Sequence, residues 1–513
     1  MKSADSFSVA FRTDASLLIG TGHVMRCLAL ADALRARGAQ TTFIARQQPG
    51  DLIDHLAREG HEVIRLPELS PRITDDDGER TAHADWLGTG WRKDVSDVRV
   101  AVGVRSFDWL IVDHYALDAR CERVLRELAP RIMVIDDLAD RDHDCDLLLD
   151  QNLYPDMALR YARRVPEVTR QLLGPRYALL RPGFAAVRGR SRDGSVRRLL
   201  VFFGGVDAAN QTGRVIGLLP RALPARVEVD VVIGAAHPHR AGIEAACTQA
   251  GYSCYVQTGR MAELMAAADL AIGAGGTAVW ERACTGLPAL VWPLAENQRE
   301  QVATAADAGL LHAPSQVSHD DEVLVRHIAA LCDSPHLLRA LSAVGAAAVD
   351  GAGVARVCRA LGCSGVTLRR VSADDADALF AWRNCETVRK VSRNSDPIPR
   401  PVHDAWLADT LARADRRLLV GERNGVSVGV VRFDLTGDEA EVSIYLAPGE
   451  HAAGAGGDLL AAAERWLALD RSAGVCKIRA EVAGDNAPSR HMFLSAGYRP
   501  DAARFLKRIH PDD

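Results

Sequence analysis

The sequence predicts an α/β protein with two doubly wound parallel-sheet domains in tandem and a smaller α+β domain at the end. Three observations carry this. Short apolar runs alternate with helix-length segments from residue 7 to about 361, as buried parallel strands and their crossovers do. Several runs end in glycine turns or acidic residues, the form expected where strand carboxyl ends open onto a site. After residues 362–365 the strands LLVGER, VSVGVVRFD, AEVSIYLAP and CKIRAEV indicate a mixed, partly antiparallel sheet. The expected domains are 1–190, 191–362 and 366–513.

In the first series, VAFRTD leads into a helix around CLALADALRARG, which Gly38 stops. TTFIAR, the helix around LIDHLAREG, HEVIRL, DWLIVDHY and RIMVIDD follow. Residues 71–90 read as a loop leading into another helix. The second series follows the basic turn SRDGSVRR, with strands RRLLVFFGG, VEVDVVIG, YSCYVQTG, ADLAIGAGG and PALVWPL. An Ala-rich helical stretch over residues 336–361, broken near Gly351 and Gly353, closes it.

With 513 residues, 48% of them hydrophobic and 25% charged, each domain has material for a core. A net charge of -5 argues against a nucleic-acid partner. No uninterrupted apolar run has the length of a membrane span, and the first residues lack the apolar centre of a secretory signal. The 11 cysteines form no C-x-x-C pair, so reduced thiols in a cytoplasmic protein are expected, with no metal site. DHDCD and HPH are read as solvated turns. The sequence leaves oligomeric state open.

Three segments carry chemistry. In FRTDASLLIGTGHVMRC a strand breaks into a loop with Gly20 and Gly22, and a helix restarts at about Val24. His23 therefore stands at a helix N-terminus, suited to an anionic ligand and to proton transfer near neutral pH, or simply to capping. In AIGAGGTAVWERACTGLPALVWPLAENQREQ a strand runs into Gly273, Gly275 and Gly276 before a helix at Thr277. Such a turn fits phosphate, and Glu281 can accept from two ribose hydroxyls; a plain strand–helix connection is the alternative. A second turn with Gly204 and Gly205 opens the same domain and can face the same crevice. In the last domain, a glycine loop from His451 through Gly454, Gly456 and Gly457 couples a strand to an apolar helix.

The ordered set RTDASLLIGTGHVMRCLALA, VDHY, FFGGVDAANQTG and GAGGTAVWERACTGLPALVWPLAENQ resembles the UDP-sugar hydrolase of pseudaminic acid biosynthesis. That family is related to the GT-B glycosyltransferases and has two Rossmann-like domains; the resemblance spans roughly residues 7 to 360. It implies hydrolysis of UDP-2,4-diacetamido-2,4,6-trideoxy-β-L-altropyranose to UDP and free sugar. His23 falls on the family's catalytic histidine, with Asp14 beside the same loop and Tyr115 after the second motif. Glu281 and Asn297, followed by Gln298, fall at the nucleotide and sugar. A single base without a nucleophilic carboxylate favours direct displacement with inversion.

The loop HAAGAGGD resembles the pyrophosphate loop of the GNAT acetyltransferases, and NAPSRHMFLSAGY resembles the second half of that pattern. The resemblance implies acetyl-CoA as co-substrate, with amides of Ala453, Gly454, Ala455, Gly456, Gly457 and Asp458 at its diphosphate and Asn486 and Ser489 in the second motif. Two departures stand out: His451 replaces the usual Arg or Gln, and Phe493 replaces a tyrosine proposed to protonate the leaving thiolate. LFAWRNCETVRKVSRNSDPI with HDAWL resembles the acetyltransferase acting on the 4-amino group of the UDP-linked precursor. Ribosomal-protein N-acetyltransferases share part of that pattern. Trp382, Arg383 and Asn384 are then candidate acceptor residues, or a helix face packed on the sheet, and Glu441 is a candidate base.

The expected protein is a bifunctional enzyme that acetylates a UDP-linked amino sugar and then removes UDP. A UDP-sugar glycosyltransferase with an accessory acetyltransferase is one rival, separated by whether free sugar appears without acceptor. A non-catalytic sugar-nucleotide-binding regulatory module is another, supported by binding without turnover.

Overall fold

The computed structural model describes residues 7–68, 81–224, 226–315, 320–392, 394–449, 454–470, 472–482, 486–501 and 504–508. The chain divides into two compact units, Met1–Val357 and Cys358–Asp513.

The first unit holds two parallel sheets. One contains β1 (Ser8–Thr13), β2 (Gln40–Arg46), β3 (Glu62–Leu66), β4 (Trp109–Asp113), β5 (Arg131–Ile135), β6 (Leu147–Asp150) and β7 (Arg170–Leu173), in the order β3-β2-β1-β4-β5-β6-β7. The other contains β8 (Arg198–Phe202), β9 (Glu228–Ile233), β10 (Ser253–Val256), β11 (Leu270–Ala274) and β12 (Ala289–Trp292), in the order β10-β9-β8-β11-β12. Every pairing in both sheets is parallel. The apolar runs of the sequence become these strands because both sheet faces are covered, as in β1, where Val9, Ala10 and Phe11 are fully buried.

Each sheet reverses direction once, between β1 and β4 in the first and between β8 and β11 in the second. In an open α/β sheet the crevice at the carboxyl ends of such a pair is where ligands bind. The His23, Tyr115, Gly204–Gly205 and Gly275–Gly276 loops follow those strands, whereas Asn297 and Gln298 come after β12. Thr13 pairs with Asp113 at the ends of β1 and β4, so the two loops leave the first sheet side by side.

The second unit holds one mixed sheet, β13 (Thr367–Arg370), β14 (Arg416–Arg423), β15 (Val426–Thr436), β16 (Glu439–Leu446), β17 (Lys477–Glu481), β18 (Arg499–Asp501) and β19 (Arg504–Arg508), ordered β13-β14-β15-β16-β17-β19-β18. All its pairings are antiparallel except β16 with β17, which the helix Ala455–Leu469 connects as a crossover. That helix beds on the sheet at two glycines. A Cβ at Gly421 would lie 2.3 Å from Leu459 Cδ1, and one at Gly429 would lie 2.9 Å from Leu459 Cδ2. β16 and β17 pair only from Glu439↔Lys477 to Val442↔Ala480, while β16 continues to Leu446.

The structure corrects two readings. DHDCD is not a solvated turn at its centre: His143 is buried, 2.7 Å from Glu122 and 3.8 Å from Asp136. His237 of HPH is also buried, 3.6 Å from Asp207. Both imidazoles sit beside carboxylates that keep polar ring atoms in the interior. The segment from residue 335 to 360 is long and apolar enough by composition to cross a membrane. It is two helices, Pro335–Ala348 and Gly353–Ala360, broken between them. The longer rises about 21 Å at the usual helical pitch, short of a bilayer core.

Candidate active sites

The helix Gly22–Arg35 begins two residues earlier than expected, which places His23 in its first turn. His23 is buried, and its Nδ1 lies 2.6 Å from Oδ1 of Asp113 at the end of β4. Arg26, one turn further along the helix, grips the same carboxylate with Nε at 2.7 Å and Nη2 at 2.6 Å. Burial alone would raise the Asp113 pKa, but the Arg26 charge and His23 override it and hold Asp113 well below the usual carboxylate range. An ionised Asp113 accepts the Nδ1 proton and fixes the tautomer, so Nε2 is the nitrogen left to act as a base.

A chain of polar side chains extends from this pair. Arg26 Nη1 reaches Asp137 Oδ2 at 3.1 Å, and Asn152 Nδ2 donates to the same oxygen at 3.1 Å. The Asn152 carbonyl oxygen then accepts from Trp280 Nε1 at 2.8 Å and Gln301 Nε2 at 3.0 Å. Asn152 follows β6 of the first sheet, whereas Trp280 and Gln301 belong to helices beside the second. This buried amide therefore ties the two halves of the unit together.

Tyr115 donates its hydroxyl to Asp137, and its ring meets His23 edge-on at 4.5 Å between centroids. Burial and the Asp137 charge push the phenol well above its usual pKa, so it remains a donor. Trp86 stacks on Tyr115 at 5.2 Å and completes an aromatic wall beside His23. Gly20 and Gly22 border the loop, and a Cβ at either would meet nothing within 4 Å.

Asp14, expected as a catalytic group beside the same loop, is bound into a separate cluster of side chains. It is fully buried, 2.7 Å from Arg12 Nη1 and 3.3 Å from His114 Nε2, and it accepts the backbone N–H of Arg46 at 2.7 Å. Arg12 and Arg46 both also grip the buried Asp94. Burial alone would raise the Asp14 pKa; Arg12 and His114 override it and keep the group ionised. Through these partners Asp14 ties together the ends of β1 and β2.

In the second sheet the glycines divide by physical need. A Cβ at Gly273 would lie 2.1 Å from the Phe202 carbonyl oxygen, and one at Gly275 would lie 2.8 Å from Val302 Cγ2. Both are therefore demanded by packing. Gly276 has φ +83°, and its N–H donates to Gln301 Oε1 at 3.2 Å. Gly204 has φ +98° with open space around it, and a Cβ at Gly205 would come within 3.9 Å of Thr21 Oγ1. The glycine turn of the second sheet and the His23 loop of the first thus face each other across one cleft. Thr277 precedes the helix Ala278–Cys284, and Glu281 lies one turn in. Glu281 is partly reachable by solvent yet tightly surrounded. Burial pushes its carboxyl up to about 7 against Arg181 and Arg282, which lower it. Asn297 is exposed. Gln298 turns inward, accepting the Leu294 N–H at 2.9 Å.

In the second unit the helix after the glycine loop starts at Ala455, with Gly454 at φ +93° before it. Its first helical bond runs from Asp458 N to Gly454 O at 3.1 Å. The amides of Ala455, Gly456 and Gly457 precede that bond and are the donors a helix start leaves over. Asp458 is corrected on this point: its amide is spent in the helix, and its buried carboxylate accepts from Arg359 and Arg423. Ala453 lies outside the described residues. Asn486 caps the helix Ala487–Ser495 by accepting the Ser489 N–H at 3.1 Å, so both groups are engaged locally.

Of the acceptor candidates, Trp382 packs on the small core around Leu379, Leu407 and Val420. Arg383 Nη2 donates to the Asn394 carbonyl at 3.0 Å. Asn384 clamps a loop, donating to the Ile398 carbonyl at 3.0 Å and accepting its N–H at 2.7 Å. That double bond makes Asn384 a structural tie. Glu441 accepts from Arg479 on the neighbouring strand at 2.7 Å, an ion pair that stabilises its charged form.

Sequence reasoning passed over Asp113, Arg26, Asp137, Asn152 and Trp86. Asp113 and Asp137 left a signal, as acids at the ends of the apolar runs DWLIVDHY and RIMVIDD.

Two parallel sheets with facing switch-point loops define a two-lobed α/β class, and a separate mixed sheet follows them. Residues 366–499 match the acetyltransferase (GNAT) domain family, so the chain carries a GNAT acetyltransferase domain in its second unit. Over 516 aligned residues the chain is 22% identical to the uncharacterized protein MJ1062 of Methanocaldococcus jannaschii, covering 96% of each. The first unit is homologous to two further proteins. The spore coat polysaccharide biosynthesis protein SpsG of Bacillus subtilis is 27% identical over 343 residues, 66% of this chain and 93% of SpsG. The UDP-2,4-diacetamido-2,4,6-trideoxy-β-L-altropyranose hydrolase of Campylobacter jejuni is 26% identical over 216 residues, 42% of this chain and 66% of the hydrolase. The solved structure of Acinetobacter baumannii MurG aligns with 70% of this chain and 99% of its own, at 16% identity and a TM-score of 0.47.

Proposed function

We propose that the chain is a bifunctional sugar-nucleotide enzyme. The second unit transfers acetyl from acetyl-CoA to the 4-amino group of a UDP-linked amino sugar. The first unit hydrolyses the resulting UDP-2,4-diacetamido-2,4,6-trideoxy-β-L-altropyranose. The observation that carries the hydrolytic half is the His23–Asp113 pair at the first sheet's switch point, facing the glycine turn of the second.

In hydrolysis, water oxygen bonds to the anomeric carbon as the bond to the diphosphate oxygen breaks, and UDP leaves with that electron pair. His23 Nε2 takes the water's proton, an effect worth about 10²–10⁴ in rate. Displacement is direct, so the anomeric configuration inverts. Glu281 accepts from the ribose hydroxyls, and the Gly204–Gly205 turn lies open to the diphosphate. In acetylation, the amine nitrogen bonds to the acetyl carbonyl carbon, the C–S bond breaks, and the amine loses a proton while the thiolate gains one. Phe493 is buried and has no proton to give, so that proton comes from another group or from water.

The test is to incubate the chain with the 4-amino UDP-sugar and acetyl-CoA and to follow CoA and UDP separately. CoA should appear first, and UDP only with acetylated sugar. UDP release that requires an added acceptor would replace hydrolysis with glycosyl transfer.

A further inference from the structure

The arginine or glutamine usual ahead of the glycine loop is missing from this sequence, where His451 stands in its place. The structure brings a cation to the loop from elsewhere. Arg359, in the last turn of the helix Gly353–Ala360, sends Nη1 to Asp458 Oδ1 at 2.9 Å. Arg423 at the end of β14 reaches the other oxygen of the same carboxylate at 2.7 Å. Among the described residues neither arginine has a second carboxylate, so two guanidinium groups share one negative charge. The Arg359 group also lies along the glycine faces. A Cβ at Gly457 would sit 3.4 Å from its Cζ, and one at Gly454 4.0 Å from its Nη1. Arg359 retains 18% side-chain exposure, enough to be met from outside.

We infer that Arg359, supplied by the segment ahead of the acetyltransferase domain, binds the diphosphate of acetyl-CoA, with Asp458 and Arg423 holding its guanidinium over the loop. The diphosphate would take the amides of Ala455, Gly456 and Gly457 on one side and the planar fork of Arg359 on the other. This deepens the acetyl-CoA reading and rests on it.

The test uses the full-length chain with Arg359→Gln and Arg359→Lys. Titration with CoA and with 3′-dephospho-CoA should show both weakened tenfold or more by Arg359→Gln, with Arg359→Lys in between. Turnover of S-acetylpantetheine, which lacks the diphosphate, should not change. Equal CoA affinity in wild type and Arg359→Gln overturns the inference and leaves the acetyl-CoA reading standing. Weakening of CoA alone assigns Arg359 to the 3′-phosphate, and parallel loss of S-acetylpantetheine turnover makes it a structural residue; both also overturn it. A wild-type chain that binds no CoA removes the acetyl-CoA reading and the inference together.

Discussion

Nδ1 of His23 and Oδ1 of Asp113 lie 2.6 Å apart although 90 residues separate them, because β1 and β4 run parallel and in register. The contact sets the imidazole tautomer, while Arg26 shares the same carboxylate. Chemistry and fold stability therefore meet at one acid.

Substituting the two partners should separate those roles. His23→Gln is expected to lower kcat for UDP release by about 10²–10⁴ with little change in UDP affinity or melting temperature. Asp113→Asn should lower kcat and also destabilise the protein by about 3–5 kcal/mol, since it leaves Arg26 buried against a neutral amide. Single-turnover kinetics and chemical denaturation of both variants decide this. A His23→Gln enzyme of normal rate would make His23 a cap.

Asn152→Ala removes the shared partner of Asp137, Trp280 and Gln301. Leaving such buried groups unpaired costs about 1–3 kcal/mol each. The first unit should melt earlier, and KM for the UDP-sugar should rise as the two halves lose their tie. Calorimetry and steady-state kinetics read both effects. An unchanged KM would make the contact purely structural.

Glu281 predicts a pH dependence. Its carboxyl is pushed up to about 7 by burial, and accepting ribose hydroxyls requires the charged form. Uridine should bind more tightly as pH rises through 7 and should release a proton on binding; Glu281→Gln should abolish both. The same shift makes Glu281's share of folding stability fully present below the ordinary glutamate pKa and lost as pH rises through about 7. Titration calorimetry in buffers of different ionisation enthalpy counts the proton.

His143 predicts a second window. Burial alone would lower its pKa, but Glu122 and Asp136 push it up to about 9. Its contribution is complete below the ordinary histidine pKa and disappears as pH rises through about 9. Unfolding free energy should fall between those limits, and His143→Gln should flatten that part of the curve. Identical slopes in the two proteins would refute the pairing.

Much of the architecture was legible because buried parallel strands must be continuously apolar. β8, β11 and β12 of the second sheet announce themselves in this way, while β9 carries Asp230 and β10, SCYV, is only partly buried. β13, β18 and β19 do not: TLRR, RPD and RFLKR are short and rich in charge, and only their neighbours define them. β6 and β7 are four residues each and vanish among loops. At the site, the His23 loop was readable as a glycine turn into a helix, since the signal is local. Asp113 was not, because its role depends on a strand pairing far along the chain. Asp14 is near His23 in sequence, yet Arg12 and Arg46 draw it into the interior. Arg359 lies outside the glycine motif altogether, so the domain boundary expected at residue 366 would have cut it away.

β16 and β17 part after Val442 and Ala480, and this has a spectroscopic consequence. Beyond that point β16 remains bonded to β15 but, among the described residues, has no strand partner on the other edge. Those of its last amides that point away from β15 face the fork. Hydrogen–deuterium exchange at residues 443–446 thus offers a reporter for occupancy of that fork by an extended, amide-bearing chain, readable without turnover.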